Sequence, residues 1–285
     1  FYFDHYPEDY RCWKGVESLP KLNFNSQQLR DCVYRTPDSA AQRWLREPYG
    51  IDGWRFDVAN MMGRCGPDQL QDEVWAELRR SLRDASPQCY LLGEHFFDGS
   101  ALMERNHLDG LMHYQGFTFA VWKWLSGTDS FLSGWERIRY TCPFTAADMA
   151  AQMREFRSGL THGQSLCMLN LLNSHDTPRL ITVLEGDTDR YLPALALLFT
   201  CPGTPSILYG DEIGLGGGGD PDCRRPMPWE EGKQDMARLA LYRKLIALRK
   251  ARPSLSRGGM LELSVAPDHF AFARILGPEV TCTLV

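Results

Sequence analysis

Acidic and basic side chains that could do proton chemistry stand at the carboxyl ends of short apolar stretches of this 285-residue sequence. A guanidinium beside a carboxylate favours the charged form of that carboxylate and orients it, whereas apolar surroundings favour the neutral acid. One carboxyl group held ionised and a second biased toward neutrality form a general acid/base pair. The residues placed in this way are Arg55, Asp57, Glu94, His95, His175, Asp176, Asp211 and Glu212.

The stretch Gly53 to Asn60 contains an arginine two residues before an aspartate. Side chains alternate between the two faces of a strand, so Arg55 and Asp57 are expected on one face. We therefore expect Arg55 to keep Asp57 ionised and aimed. Taken alone, so short a motif is more typical of a structural ion pair at a strand end.

Glu94 follows the apolar stretch Cys89 to Leu92 and a glycine. If that stretch is the strand next to the one that holds Asp57, the two carboxyl groups emerge side by side. Partly apolar surroundings raise the pKa of a carboxyl group, which suits Glu94 to the role of the acid. The alternative is that Glu94 caps the helix that follows.

The remaining polar sites also allow structural interpretations. His175 and Asp176 lie in an N-S-x-D run, which commonly makes local hydrogen bonds in turns. Asp211 and Glu212 are more typical of residues that brace the rim of a fold than of catalytic ones. Several aromatic residues are either sugar-stacking platforms or, more commonly, core: Trp13, Tyr114, Phe117, Trp122 and Trp124.

Apolar patterning predicts an alternation of strands and helices. Strand followed by helix followed by strand implies parallel pairs with right-handed crossovers, and sites then form at the carboxyl ends of the strands. The predicted strands are 51–58, 89–92, 108–113, 166–172 and 205–208. The predicted helices are 26–47, 68–86, 117–126, 146–159, 189–199 and 234–251.

The class indicated is α/β, with five β-then-α units of an eight-fold barrel; three further units would have to precede residue 1. After Pro253 the pattern changes: 260–265 and 269–274 alternate like an antiparallel hairpin with Pro267 and Asp268 in its turn. We place the edge of a second, all-β domain near residue 253.

Composition excludes several classes of protein. With 44% hydrophobic and 24% charged residues the chain lacks a disorder signature, and no apolar run approaches the roughly 18 residues of a membrane span. A formal charge of -5 argues against a nucleic-acid partner.

Nine cysteines without any C-x-x-C pair indicate reduced thiols and not a disulfide framework or zinc ribbon. The histidines show no metal-binding spacing, and we expect neither metal nor cofactor. The sequence lacks both a signal peptide and an initiator Met. We therefore expect a cytoplasmic protein and a chain that begins inside a longer one.

The sequence resembles the α-amylase family of retaining glycoside hydrolases, glycoside hydrolase family 13. Gly53 to Asn60, Leu92 to His95 and Leu172 to Asp176 are similar to its second, third and fourth conserved regions. Leu19 to Asn23 is similar to the region that marks the neopullulanase and cyclomaltodextrinase subgroup, and Gly210 to Gly214 to the end of the eighth barrel strand. Within that subgroup, 93–98, 116–119 and 220–226 are most similar to the bacterial maltodextrin glucosidases.

The resemblance implies a (β/α)8 TIM barrel with an antiparallel C-terminal domain. Residues 1–252 would be a partial catalytic barrel containing about its fourth to eighth units, and 253–285 a truncated all-β domain. The family's first conserved region has no counterpart here, so we expect these residues alone to be inactive without the rest of the chain.

The resemblance also implies roles. Asp57 would be the nucleophile, Glu94 the acid and base, and Asp176 the third catalytic carboxylate, which accepts hydrogen bonds from the sugar. Arg55, His95 and His175 would assist in binding an α-1,4-glucan oligosaccharide, with a homo-oligomer as a further expectation. Cyclomaltodextrinase or neopullulanase activity, a non-catalytic glycan-binding protein and a metal-dependent barrel hydrolase stay open as alternatives.

Overall fold

The computed structural model describes residues 1–6, 8–129 and 140–285. These residues form two compact units, one of residues 1–95 and 101–111 and the other of residues 96–100 and 112–285. Within the described ranges, no helix is both long and apolar enough to cross a membrane.

The first unit combines short strands with one long helix. Its strands are Phe3–His5, Asp9–Tyr10, Cys12–Trp13, Val16–Pro20, Gly53–Phe56, Arg64–Cys65, Asp68–Gln69, Tyr90–Gly93 and Gly110–Leu111. Its helical segments are Gln27–Arg30, Asp31–Arg35, Ala40–Arg43, Ala59–Met61, Gln71–Ala85 and, apart from its first residue, Ser100–Glu104.

A three-stranded parallel sheet organises this unit. Gly53–Phe56 pairs with Tyr90–Gly93, which pairs in turn with Gly110–Leu111. The helix Gln71–Ala85 connects the first two strands and buries the side chains on one face, Val74, Trp75, Leu78 and Leu82. The spacing of four residues between Val74, Leu78 and Leu82 is part of the apolar pattern from which this helix was predicted.

The second unit contains more helix. Its helical segments are Tyr114–Thr118, Phe119–Ser126, Ala146–Ser158, His162–Cys167, Leu180–Val183, Thr188–Thr200, Asp211–Ile213, Asp222–Arg224, Glu231–Lys233, Met236–Ala251 and Pro253–Arg257. Its strands are Thr128–Asp129, Tyr140–Thr141, Leu169–Leu171, Thr204–Ser206, Gly259–Ala266, His269–Leu276 and Glu279–Leu284.

Two kinds of sheet occur in the second unit. Leu169–Leu171 and Thr204–Ser206 are parallel, and Met112 forms a parallel bridge to Leu169. The last three strands form an antiparallel sheet, whose first hairpin turns at 267–268 as expected. The parallel-then-antiparallel order matches the one predicted from the sequence, while the division into domains at residue 253 stays a prediction.

Several elements differ from the sequence prediction. Phe3–His5 pairs antiparallel with Asp9–Tyr10, and Cys12–Trp13 with Val16–Pro20, although no strand was predicted there. The strand predicted over 166–172 is only Leu169–Leu171, because Thr161 and Gln164 form a capping box that starts a helix over His162–Cys167. The helix Pro253–Arg257 was also missed, although proline is favoured at the first position of a helix.

Candidate active site

Arg55 lies between two carboxylates in the first unit. It is on the strand Gly53–Phe56, Asp57 follows that strand, and Glu94 follows the neighbouring strand Tyr90–Gly93. One guanidinium nitrogen of Arg55 donates to Asp57 Oδ1, and the other terminal nitrogen forms an ion pair with Glu94 Oε1. The parallel register, with Phe56 opposite Gly93, therefore brings three of the sequence-predicted residues together.

The two carboxylates differ in exposure. The Asp57 side chain is 72% exposed, whereas the Glu94 side chain is 5% exposed. A nucleophile needs access to its substrate, and an acid is favoured by exclusion of water. Burial of Glu94 opposes its charged form while Arg55 supports it, so the expectation of a raised Glu94 pKa stays a prediction.

Val58 adds a backbone donor that sequence reasoning did not identify. It has φ 42° and ψ 52°, a left-handed conformation that is rare for a β-branched residue. Its N–H donates to Glu94 Oε2 at 3.1 Å. Strained backbone of this kind is concentrated at functional sites, where the surrounding structure holds it in place.

Glycines allow the strands of this sheet to approach closely. A Cβ on Gly53 would lie 2.1 Å from the Tyr90 carbonyl oxygen, and one on Gly93 would lie 2.4 Å from Leu108 Cδ1. Backbone atoms thus exclude a side chain at Gly53, whereas a side chain at Gly93 would have to displace that of Leu108. His95 directly follows Glu94 and is half-buried.

His175 and Asp176 lie in the second unit, in the loop after the strand Leu169–Leu171. His175 Nε2 is 3.2 Å from Asp176 Oδ2. Arg224 donates from Nη2 to Asp176 Oδ1 at 3.0 Å and from Nε to the His175 carbonyl at 2.8 Å. Sequence reasoning did not assign Arg224 an individual role, since only the folded chain brings residues this far apart into contact.

Asp211 supports this loop through hydrogen bonds to two of its side chains. It accepts hydrogen bonds from Asn173 Nδ2 at 2.9 Å and from Arg179 Nη1 at 2.8 Å, and Arg179 is fully buried. Burial raises the pKa of Asp211 to about 6, against the opposing effect of Arg179 and Asn173. The contacts agree with the structural interpretation of Asp211.

The expectation that the protein binds neither a metal nor a cofactor stays a prediction. Three of the aromatic residues singled out in the sequence, Tyr114, Phe117 and Trp122, are buried and belong to the core. They therefore have no exposed face on which a sugar could stack.

The sequence profile of the "Alpha amylase, catalytic domain" family matches residues 1–258. The chain belongs to this family, and its fold class is the α/β barrel class that the sequence predicted.

Two curated relatives and one solved structure illustrate the similarity. A cyclomaltodextrinase of Bacillus sp is 37% identical over 84% of this chain and 38% of its own length. An intracellular maltogenic amylase of Bacillus subtilis (strain 168) is 30% identical over 96% of this chain and 42% of its own length. The native-form structure of the Nostoc punctiforme debranching enzyme has a TM-score of 0.84 at 32% identity, and covers 100% of this chain and 56% of that chain. The chain thus spans less than half the length of these curated relatives.

Proposed function

We propose that the full-length protein is a retaining glycoside hydrolase that cleaves α-1,4-glucosidic bonds of maltodextrins, in the manner of a maltodextrin glucosidase. The observation that supports this most strongly is the pairing of Arg55 with both exposed Asp57 and buried Glu94. Adjacent parallel strands lie about 4.8 Å apart, which suits the separation of roughly 5–5.5 Å that retaining hydrolysis needs between its two carboxyl groups.

In the first half of the reaction, Asp57 attacks the anomeric carbon as the glycosidic bond breaks. Glu94 gives its proton to the departing oxygen, so the leaving sugar departs as a neutral alcohol. The products of this step are a covalent glucosyl ester on Asp57 and a Glu94 carboxylate.

In the second half, the Glu94 carboxylate takes a proton from water as that water attacks the same carbon. The ester bond to Asp57 breaks, Asp57 regains its negative charge and Glu94 regains its proton. Two inversions at one carbon return the α configuration. The Val58 N–H and Arg55 stabilise Glu94 in the carboxylate state that this half-reaction requires.

Asp176 would accept hydrogen bonds from sugar hydroxyl groups as the ring flattens, and His175 would donate one. Such contacts raise the rate when they strengthen in the transition state. His95 would bind substrate beside the acid. Arg224 contacts both Asp176 and the His175 backbone, and would hold them in place.

A cyclomaltodextrinase or neopullulanase is the second candidate, and the name of the Bacillus sp relative favours it. Parallel digestion of maltotriose, β-cyclodextrin and pullulan by the full-length protein distinguishes the two. Glucose and shorter maltodextrins from maltotriose, with slow cyclodextrin cleavage, support the maltodextrin glucosidase. Rapid opening of the cyclodextrin ring supports a cyclomaltodextrinase instead.

Two other classes make different predictions for the same digestion. A non-catalytic glycan-binding protein would bind maltotriose without turning it over. A metal-dependent barrel hydrolase would lose activity in a chelator such as EDTA, whereas the two-carboxyl mechanism is unaffected.

We also propose that the protein is cytoplasmic and forms a homo-oligomer. The Bacillus subtilis relative is an intracellular maltogenic amylase, which supports a cytoplasmic location. A homo-oligomer stays a proposal that sedimentation of the full-length protein would test.

A further inference from the structure

Tyr114 is a buried tyrosine whose hydroxyl group points toward the loop of His175 and Asp176. It is 1% exposed, and its ring stacks on Phe96 at 4.0 Å and on Phe119 at 5.6 Å between ring centroids. Stacked on both neighbours and excluded from water, the ring has little freedom to move. Its hydroxyl therefore occupies a fixed position.

That hydroxyl donates to Ser174 Oγ at 2.8 Å. The same Ser174 oxygen accepts the backbone N–H of Asp176 at 3.1 Å, and the Ser174 N–H donates to Thr177 Oγ1 at 2.8 Å. Ser174 and Thr177 are 4% and 5% exposed. A continuous set of hydrogen bonds thus runs from a rigid core residue to the backbone of the carboxylate that emerges from this loop.

We infer that Tyr114 and Ser174 are positioning residues for Asp176, joined through a hydroxyl relay. This inference rests on the proposed function, in which Asp176 contacts the sugar. Tyr114 fixes Ser174, Ser174 fixes the Asp176 amide, and the carboxylate then starts from a constrained backbone. Both hydrogen bonds end on the same Ser174 oxygen, so a displacement of that oxygen disturbs both of them.

The relay acts together with Arg224, which contacts the Asp176 carboxylate directly. Arg224 is 44% exposed at its side chain, so its bond competes with water, whereas the bonds of Tyr114 and Ser174 do not. The buried hydrogen bonds of Tyr114 and Ser174 thus support the Asp176 backbone without competition from water.

Tyr114→Phe tests the relay, because it removes one oxygen and leaves the stacked ring in place. Ser174→Ala removes the shared acceptor. Tyr34→Phe is the matched control: Tyr34 is also fully buried, and its hydroxyl donates to Glu77 at the same distance of 2.8 Å in the other unit. The double variant Tyr114→Phe/Ser174→Ala tests whether the two act as one.

Hydrogen exchange of the Asp176 amide, followed by mass spectrometry of peptides spanning 173–180 in the full-length protein, is the first readout. We expect exchange about two- to tenfold faster in Tyr114→Phe and Ser174→Ala, the effect of losing one hydrogen bond. Tyr34→Phe should exchange as the wild type does. Exchange in Tyr114→Phe that is indistinguishable from wild type would overturn the relay, whatever the enzyme's activity.

Maltotriose kinetics is the second readout. The relay predicts a kcat about two- to tenfold lower in Tyr114→Phe, a KM within about twofold of wild type, and less than the product of the single effects in the double variant. A kcat no lower than that of Tyr34→Phe would contradict it. If the wild type does not turn over maltotriose, the proposed function fails, while the exchange measurement still decides whether Tyr114 holds Asp176.

Discussion

At the scale of single residues, Arg55 is bonded to two carboxylates with very different surroundings. Asp57 is largely exposed and Glu94 is almost fully buried, although both contact the same guanidinium. An exposed carboxylate is accessible for attack on a substrate. A buried carboxyl group is better suited to hold a proton and transfer it to a bound group. The division of labour proposed for the pair follows from this difference.

Glu94→Gln keeps the size of the side chain and removes the titrating oxygen. We expect kcat on maltotriose to fall by about 10²–10⁴-fold, the usual contribution of a general acid. A substrate with a good leaving group, such as a dinitrophenyl α-glucoside, needs no proton for the first step. The burst of dinitrophenol in rapid-mixing kinetics should therefore persist.

Glu155→Gln is the control for this prediction, since Glu155 is exposed on the helix Ala146–Ser158. A dinitrophenol burst that Glu94→Gln slows as much as it slows maltotriose turnover would show that the residue is not the acid.

Asp211 gives the protein a specific dependence of stability on pH. Its pKa is raised from 3.8 to about 6 in the folded state, chiefly by burial. The folded protein therefore holds this proton more tightly than the unfolded chain. The resulting stabilisation is fully present below pH 3.8 and is lost as the pH rises through about 6.

Asp211→Asn should remove this contribution, which is on the order of 2–3 kcal/mol. Urea unfolding at several pH values between 4 and 7 measures it as the difference in slope between wild type and variant. Parallel pH profiles of the two proteins would contradict the raised pKa of Asp211.

At the scale of elements, the contact between two parallel strands sets the distance between the carboxylates. Gly53 lets its strand lie against Tyr90, and a Cβ there would meet backbone that cannot move aside alone. We expect Gly53→Ala to destabilise the protein by about 1–3 kcal/mol, as overpacking does, and to lower kcat by displacing Asp57 from Glu94.

Gly163→Ala is the matched control, because no atom lies within 4 Å of a Cβ at that helical position. It should be neutral or slightly stabilising, by up to about 1 kcal/mol. Denaturant midpoints and maltotriose kinetics compare the two variants. A Gly53→Ala variant as stable and active as Gly163→Ala would show that the strand spacing does not govern the site.

The elements also show which parts of the fold the sequence could predict. The helix Gln71–Ala85 and the strands Gly53–Phe56 and Tyr90–Gly93 were expected because local spacing specifies them. The four short strands between Phe3 and Pro20 were not expected, because they are two to five residues long and mostly exposed. Such strands have too little apolar alternation to be predicted from the sequence.

At the scale of the whole molecule, the same distinction holds for the site. Asp57 and Glu94 could be proposed from sequence because each lies at the carboxyl end of a predicted strand. Val58, Arg224 and the Tyr114 relay could not, because a left-handed backbone and contacts across 36 to 60 residues of chain arise only on folding. The sequence thus indicates candidate reacting groups, whereas the groups that would position them become visible only in the folded chain.

Trapping of a covalent intermediate tests the central claim of a retaining mechanism through Asp57. The probe is 5-fluoro-α-glucosyl fluoride, whose ring fluorine slows both steps by opposing an oxocarbenium-like transition state, while its fluoride leaves readily. Three forms of the full-length protein are compared by peptide mass spectrometry: wild type, Asp57→Asn and, as control, Asp52→Asn. Asp52 is an exposed residue that precedes the same strand.

The wild type and Asp52→Asn should each gain one fluoroglucosyl group on the peptide that contains Asp57. Asp57→Asn should gain none and should lose at least about three orders of magnitude in kcat, with its stability within about 0.5 kcal/mol of wild type. A label on a different carboxylate, or substantial turnover by Asp57→Asn, would contradict the assignment of Asp57 as the nucleophile.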